Sequence, residues 1–318
     1  MELTIFTPTY NRSILLTRVY ESLLSQTNKN FVWLIVDDGS LDDTRNKVEG
    51  FIENNKSYGE PFAIEYYYYE NGGKMRAHNR GVEHAGTEWF LCLDSDDYLR
   101  NDAVEIVLNT LSKESNTENL GGIIAHKGKS ETETLSPYEF PKVDYSTLFG
   151  LYLSGFKGET TLVLRKKLLD MYPFPQIKGE KYVPEDVIYD KIDKECVFKV
   201  LPEILTVCEL VSEGYTDSVH RLKEDNKFAW FLYYEQRARI TSVSVLKFKY
   251  LSFYVLYADL CKLPKYDSVK AVTKVYDEHF EKYDGGLSLD KLVSKKIPVA
   301  QVVLGCLGAL ILRILRKS

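Results

Sequence analysis

Three apolar runs in the first hundred residues each stop at a cluster of polar, turn-forming residues. Leu3–Thr7 ends at Pro8-Thr9-Tyr10-Asn11, Phe31–Val36 at Asp37-Asp38-Gly39-Ser40, and Trp89–Leu93 at Asp94-Ser95-Asp96-Asp97. A fourth run, Ile64–Tyr69, meets the break Asn71-Gly72-Gly73. A helix-period segment follows each of them. Leu16, Val19, Tyr20, Leu23 and Leu24 mark one apolar face, with Ser13 as its expected cap. Helices are also expected over 43–54 and over Met75–Ala85. An unbroken run such as Phe31–Val36 has no polar side to show to water, so it reads as a strand buried on both faces. Strands alternating with helices through short connections predict an α/β fold with a mostly parallel sheet flanked by helices. In open sheets of this kind, ligands bind beyond the carboxyl ends of the strands. The polar clusters therefore converge on one edge.

Downstream, Asn101 is the expected cap of a helix reaching about Lys113. Gly121–His126 and Thr160–Leu164 read as strands, and the polar stretch 127–145 as a flap over the site. Pro184-Glu185-Asp186-Val187 opens a short helix, with proline in its first turn. Helices are expected over Asn226–Arg239, Leu246–Lys262 and Ser268–Lys282. The expected division is an α/β domain over 1–220, a helical extension over 221–294 and an apolar tail over 295–318. Lys295 and Lys296 precede the tail and Arg313, Arg316 and Lys317 close it, a pattern that fits a shallow membrane anchor. A buried terminal helix and an oligomer contact are the alternatives.

Composition removes other classes. A net charge of -5 argues against nucleic-acid binding. The five scattered cysteines form no CxxC pair, which favours a reducing compartment over disulfides or structural zinc. The N-terminus carries neither a basic n-region nor a long apolar core and is not expected to be a signal peptide. No G-x-G-x-x-G follows the first strand, and no Ser or Thr follows Lys74 after Gly72-Gly73, so neither dinucleotide-binding nor Walker A chemistry is expected.

Asp94-Ser95-Asp96, at the end of an apolar strand, offers two carboxylates to a divalent cation, and oxygen donors select Mg or Mn. Asp clusters are also ordinary turn formers. Asp37 and Asp38 can accept hydrogen bonds from a base or ribose, or can build an Asx-turn before Gly39. Lys74 can meet a phosphate as a point charge, or can be an ordinary solvated lysine. Phe228, Trp230, Phe231, Tyr233 and Tyr234 can form an aromatic platform or a core stripe.

Taken in order, Thr7-Pro8-Thr9-Tyr10-Asn11-Arg12, Ser25-Gln26-Thr27, Val36-Asp37-Asp38-Gly39-Ser40, Asn71-Gly72-Gly73-Lys74, Ala77-His78-Asn79-Arg80-Gly81 and Leu93-Asp94-Ser95-Asp96-Asp97 resemble the opening of glycosyltransferase family 2, with its GT-A nucleotide-sugar domain. The likeness spans roughly the first 110 residues and reappears at Pro184-Glu185-Asp186. It implies an inverting transfer from a UDP-sugar to a hydroxyl of a growing, lipid-linked bacterial surface glycan; the basic-flanked tail, the scattered cysteines and the N-terminus add the expectation of the cytoplasmic face of the membrane. It also implies roles for residues. Thr7, Pro8 and Tyr10 would surround the nucleobase and Asp38 would accept from it. Arg12, Lys74, Asn79, Asp94 and Ser95 would join the donor site. Asp94 and Asp96 would hold Mn or Mg, with His220 as third ligand, and Asp186 would be the general base; a surface or packing role for His220 and a helix-cap role for Asp186 are the alternatives. Many relatives carry Ala-Arg-Asn where this chain has Ala77-His78-Asn79, so Arg76 or Arg80 would take over the arginine contact.

Two other functions remain. A sugar nucleotidyltransferase would need a Gly-rich activation loop after the first strand, which Thr7–Arg12 is not. A non-catalytic membrane-bound scaffold would have no use for intact Asp94, Asp96 and Asp186.

Overall fold

A computed structural model describes residues 2–208 and 219–263 together with Cys306, Gly308 and Ala309. The side chains of Val219, His220 and Ser244 lie outside that description. The chain divides into two compact units, Met1–Pro173 with Ile188–Gly214, and Phe174–Val187 with Tyr215–Ser318.

The first unit is built on β1 (Leu3–Thr9), β2 (Phe31–Asp37), β3 (Ala63–Tyr68), β4 (Trp89–Cys92), β5 (Asp97–Leu99), β6 (Leu120–Gly128), β7 (Tyr145–Ser146), β8 (Thr160–Arg165) and β9 (Val197–Cys208). Its sheet runs β3-β2-β1-β4-β8-β6-β9-β5, with β7 paired to β9. Strands β3, β2, β1 and β4 are parallel, as the alternation predicts. Strand β8 enters antiparallel to both β4 and β6, which makes the whole sheet mixed. Every residue of β1 is buried, because β1 is a central strand covered on both faces.

The helices α1 (Leu16–Leu24), α2 (Thr44–Ser57) and α4 (Ala103–Lys113) supply apolar residues to one core with the strands. Leu3, Ile5, Trp33, Ile35 and Leu91 meet Val19, Leu23, Phe51 and Val107 there. At about 1.5–3 kcal/mol for each fully buried large side chain, this core is what holds the unit together. On the other face α3 (Lys74–His84) lies against β1 and β2. It comes so close that a Cβ on Gly81 would stand 2.3 Å from the Phe6 ring.

Two expected caps are not caps. The backbone N–H of Ser13 donates to Asp42 Oδ2 at 3.1 Å, and no side chain caps α1. Asn101 accepts the Thr27 N–H on its carbonyl, and α4 begins after Asp102 with no cap from the Asp102 side chain, its Val104 N–H donating instead to Gln26 Oε1 at 3.1 Å. In both places a neighbouring segment, rather than the helix itself, takes up the polar group. The stretch expected as a flap contains one isolated bridge, Gly128 to Thr134, before β7. The remaining helices of this unit include α5 (Leu148–Leu153) and α6 (Lys166–Met171).

The second unit contains α8 (Val219–Asp225), α9 (Lys227–Ile240) and α10 (Ser244–Leu260); α7 (Asp186–Ile192) starts in it. Phe231 faces Tyr254 at 5.4 Å between ring centroids, and Tyr234 stacks on Phe253 at 4.7 Å. Phe228, Phe231 and Tyr234 are thus core residues of this unit, not a platform. Glu180 accepts the Phe228 and Ala229 N–H groups at 2.8 and 2.9 Å, and Asn226 Oδ1 accepts those of Lys181 and Tyr182. These bonds fasten the segment before α7 to the start of α9.

The helix expected over Ser268–Lys282 and most of the tail 295–318 lie outside the described residues. Within the tail, Gly308 and Ala309 are helical and buried, and a Cβ on Gly308 would come within 1.7 Å of Ser252 Oγ of α10. Among the described residues, no helix is long and apolar enough to cross a membrane.

Candidate donor site

The parallel register decides which residues share the carboxyl edge. Thr9 pairs with Asp37, and Phe6 with Cys92, so the register continued places Asp94 beside Pro8. The loops leave this edge in step: Asp38 N–H donates to Thr9 O, Tyr69 N–H to Asp37 O and Leu93 N–H to Phe6 O.

Asp37 and Asp38 do different work. Asp37 is buried; its Oδ1 accepts the Ser40 N–H and its Oδ2 the Tyr66 hydroxyl, both at 2.7 Å. This is the Asx-turn alternative realised. Asp38 accepts the Gly72 and Gly73 N–H groups at 2.8 Å each and Asn71 Nδ2 at 3.1 Å. It ties the end of β2 to the start of α3. Gly39 makes this possible, because its φ is +87° and a Cβ would stand 2.7 Å from Asn71 N.

On the β1 side, Thr7 is fully buried and its hydroxyl accepts the Trp33 indole N–H at 3.0 Å, so its side chain belongs to the core. Pro8 is buried at the strand's end and Tyr10 is exposed. Asn11, at φ 53°, receives Leu41 N–H on Oδ1 and donates its own N–H to Ser40 Oγ, joining the first two loops. Arg12 follows at the same corner.

Lys74, the first residue of α3, places Nζ 2.7 Å from Asp94 Oδ1. Lys127, at the end of β6, places Nζ 2.9 Å from Asp97 Oδ2 and 3.5 Å from Glu159 Oε2. Burial alone would raise the Asp94 carboxyl, but the charges of Lys74 and Lys127 outweigh it and hold the group below its ordinary range. Burial pushes the Asp97 carboxyl up; Lys127 opposes this and Asp94 and Asp96 reinforce it. Asp96 makes no hydrogen bond or ion pair among the described residues. The acidic turn thus contains one carboxylate paired with Lys74, one paired with Lys127 and one uncommitted between them. Ser95 is buried within it.

The donors fit an oxygen-preferring cation such as Mg or Mn, which is commonly held by one or two carboxylates together with substrate phosphates and water. Among the described residues no group of three His, Cys, Asp or Glu side chains could hold a metal by itself. His220 lies in α8, and its side chain is outside the description.

His78 stands where the family resemblance leads one to expect an arginine. It is wedged edge-on between Phe6 and Phe90 at 5.7 and 5.4 Å, with 5% exposure. Burial first, and the Lys74 charge second, push its pKa down to about 3. It is therefore a neutral packing residue, buried on α3 beside Asn79. Of the two arginines expected to compensate, Arg80 is engaged with Glu83 and the Tyr69 ring. Arg76 packs its stem over Gly72, at the donor end of α3. A His with a depressed folded-state pKa costs stability as pH falls from its unfolded value, about 6.5, toward 3, because the unfolded chain takes the proton first. The His78 Cε1 proton resonance is expected to stay at its neutral position from pH 8 to 5, while an exposed histidine titrates. A midpoint near 6.5 would contradict its burial.

Sequence reasoning did not single out Lys127 or Asp97. The signal for Lys127 was the same one that exposed Asp38, a polar residue at the carboxyl end of an apolar strand. Asp186 opens α7 in the other unit. Its Oδ1 lies 2.9 Å from Arg237 Nη2, and its carbonyl accepts Gln236 Nε2 at 3.0 Å.

Known proteins share this arrangement of strands. S. aureus TarS 1-349 in complex with UDP-GlcNAc has a TM-score of 0.59 and 19% identity, covering 81% of this chain and 72% of that one. The mannosyltransferase PcManGT from Pyrobaculum calidifontis, in complex with GDP-Man and Mn2+, has a TM-score of 0.53 and 16% identity over 100% of this chain and 88% of that one. These likenesses establish the GT-A fold. An uncharacterized glycosyltransferase of Rickettsia felis is 34% identical over 112 residues, 35% of this chain and 17% of its own length. The Campylobacter jejuni GalNAc(5)-diNAcBac-PP-undecaprenol beta-1,3-glucosyltransferase is 25% identical over 199 residues, 63% of this chain and 62% of its own length. The chain thus spans well under two thirds of the first of these relatives. The sequence pattern described as glycosyl transferase family 2 matches residues 4–172, more than half of the 318. With Asp38, Lys74, Asp94, Asp96 and Lys127 all inside that match, the chain belongs to glycosyl transferase family 2.

Proposed function

We propose that this protein is a cation-dependent, inverting glycosyltransferase that moves a sugar from a UDP-sugar to a hydroxyl of a lipid-linked bacterial surface glycan. The observation that carries this reading is the acidic turn after β4, where Asp96 is uncommitted and Lys74 stands against Asp94. The names of relatives support the choice of substrates. TarS is described with UDP-GlcNAc, and the Campylobacter relative is named for an undecaprenol-linked acceptor.

Asp96 and Asp94 would hold Mn or Mg, with His220 as a third ligand. The cation would supply positive charge to the diphosphate as the glycosidic bond breaks. Asp38 keeps the Gly72-Gly73 turn in place, and Lys74 on the adjoining helix start presents a charge to the diphosphate. Pro8, Tyr10, Arg12 and Asn79 complete the donor side. Thr7 contributes the fixed strand backbone rather than its hydroxyl.

Asp186 takes the proton from the attacking hydroxyl. The hydroxyl oxygen bonds to the anomeric carbon from the face opposite the diphosphate. The bond to the β-phosphate oxygen breaks with its electron pair, which releases UDP and inverts the centre. The domains follow as catalytic over 1–220, helical over 221–294 and a tail over 295–318. The basic ends of that tail bring the enzyme to the cytoplasmic membrane surface, where its acceptor resides.

The test is thermal unfolding with UDP-glucose, UDP-galactose, UDP-GlcNAc and UDP-GalNAc, with Mn and with chelator. One UDP-sugar is expected to raise the Tm only in the presence of the cation. At about 100 times its Kd it should add about 2.7 kcal/mol. Equal stabilisation with chelator would remove the cation from the scheme, and stabilisation by GDP-mannose alone would replace the donor.

A further inference from the structure

Beyond the family-matched segment, one face of α9 is devoted to Asp186. Tyr233, Gln236 and Arg237 follow at the helical spacing that puts three side chains on one side. Gln236 holds the Asp186 carbonyl and Arg237 its Oδ1. The Arg237 guanidinium also lies over the Tyr233 ring, 5.5 Å from its centroid. The Tyr233 hydroxyl is held protonated by burial and, secondarily, by the Asp186 charge.

The two partners differ in exposure. The Arg237 side chain is 5% exposed and the Asp186 side chain 44%. An ion pair between two solvated side chains fixes neither of them. Here one partner is already immobile through burial and stacking, so the pair restricts the exposed carboxylate. Asp186 is the first residue of α7, yet its carboxylate accepts from Arg237 and not from the α7 amides. It is therefore not a cap. With Oδ1 engaged, Oδ2 takes no hydrogen bond from the described residues. Glu180 and Asn226 pin the chain just upstream to the other end of the same helix.

We propose that Arg237 is a positioning residue for Asp186, holding one carboxylate oxygen so that the other is presented to the attacking hydroxyl. This rests on the reading of Asp186 as the general base. A guanidinium suits the task better than an ammonium, because its planar fork sets direction as well as charge. Gln236 adds the second constraint by fixing the main chain that carries the carboxylate.

The experiment is UDP release with Mn and water as acceptor, using whichever of the four UDP-sugars the wild-type protein hydrolyses fastest. Arg237→Gln, Arg237→Lys, Asp186→Asn and the double variant R237Q/D186N are compared. R237Q is expected to lower kcat roughly 100-fold, the cost of a misplaced catalytic group, and R237K roughly 10-fold. KM for the donor and Kd for UDP should stay within about two-fold. The double variant should be no slower than D186N alone, because groups acting as a unit are not additive.

A folded R237Q with unchanged kcat, beside a D186N that has lost turnover, would overturn the proposal and leave the base reading intact. Multiplicative losses in the double variant would overturn it too. So would failure of both Arg237 variants to fold, which would assign the residue to stability. Full turnover in D186N, or no hydrolysis of any of the four donors, would sink the base reading and the proposal with it.

Discussion

Replacing Asp96 by Asn is expected to lower turnover of the UDP-sugar by roughly 10²–10³-fold, the cost of losing one preorganised charge at the leaving group. The response to Mn should vanish with it. The ligand-free Tm should not change, because Asp96 bonds to nothing among the described residues. Its neighbour is the internal control. Asp97 is buried against Lys127, and Asp97→Asn would leave that ammonium without its closest partner. Breaking a buried pair costs about 3 kcal/mol or more, so D97N should lower the Tm by several degrees. Two adjacent aspartates thus have opposite signatures, one in rate and one in stability. If D96N keeps wild-type turnover and Mn dependence, the cation site has been placed on the wrong residue.

The second large effect belongs to Asp186. Asp186→Asn keeps the volume and the contact with Arg237 but cannot accept a proton, so turnover should fall by roughly 10²–10⁴-fold. Stabilisation by the UDP-sugar and cation should be unaffected, because the proposed donor site is built from Asp38, Lys74, Asp94 and Asp96. Calorimetry of UDP binding beside a UDP-release assay separates the two. A D186N protein that loses nucleotide affinity along with rate would place this carboxylate on the donor side of the chemistry.

The donor half of the fold was legible for a local reason. In a parallel αβ layer, apolar run, polar turn and amphipathic helix follow one another along the chain, and β1 to β4 kept their expected places. Asp38 and the acidic turn after β4 could be read because each directly follows a buried strand. What stayed hidden depends on contacts between distant segments. Strand β9 was unassigned because Pro202 and Glu203 interrupt its apolar run, and its pairing with β6 is shifted at Ala125–His126. Ser13 and Asn101 have the residue types of caps, but adjoining loops claimed their backbone groups. The role of Thr7 turned on Trp33, across the neighbouring strand. Arg237 showed no pattern of its own, since an arginine in an aromatic helix reads as any solvated charge until its burial is seen.

The contact between Lys74 and Asp94 also bears on how a catalytic cycle closes. In the proposed scheme UDP and its cation leave together, and the Asp94 carboxylate they leave behind meets the ammonium of Lys74. That ammonium stands 2.7 Å from Asp94 Oδ1. On that proposal each incoming donor would exchange one partner of Asp94 for another, a side chain for a cation.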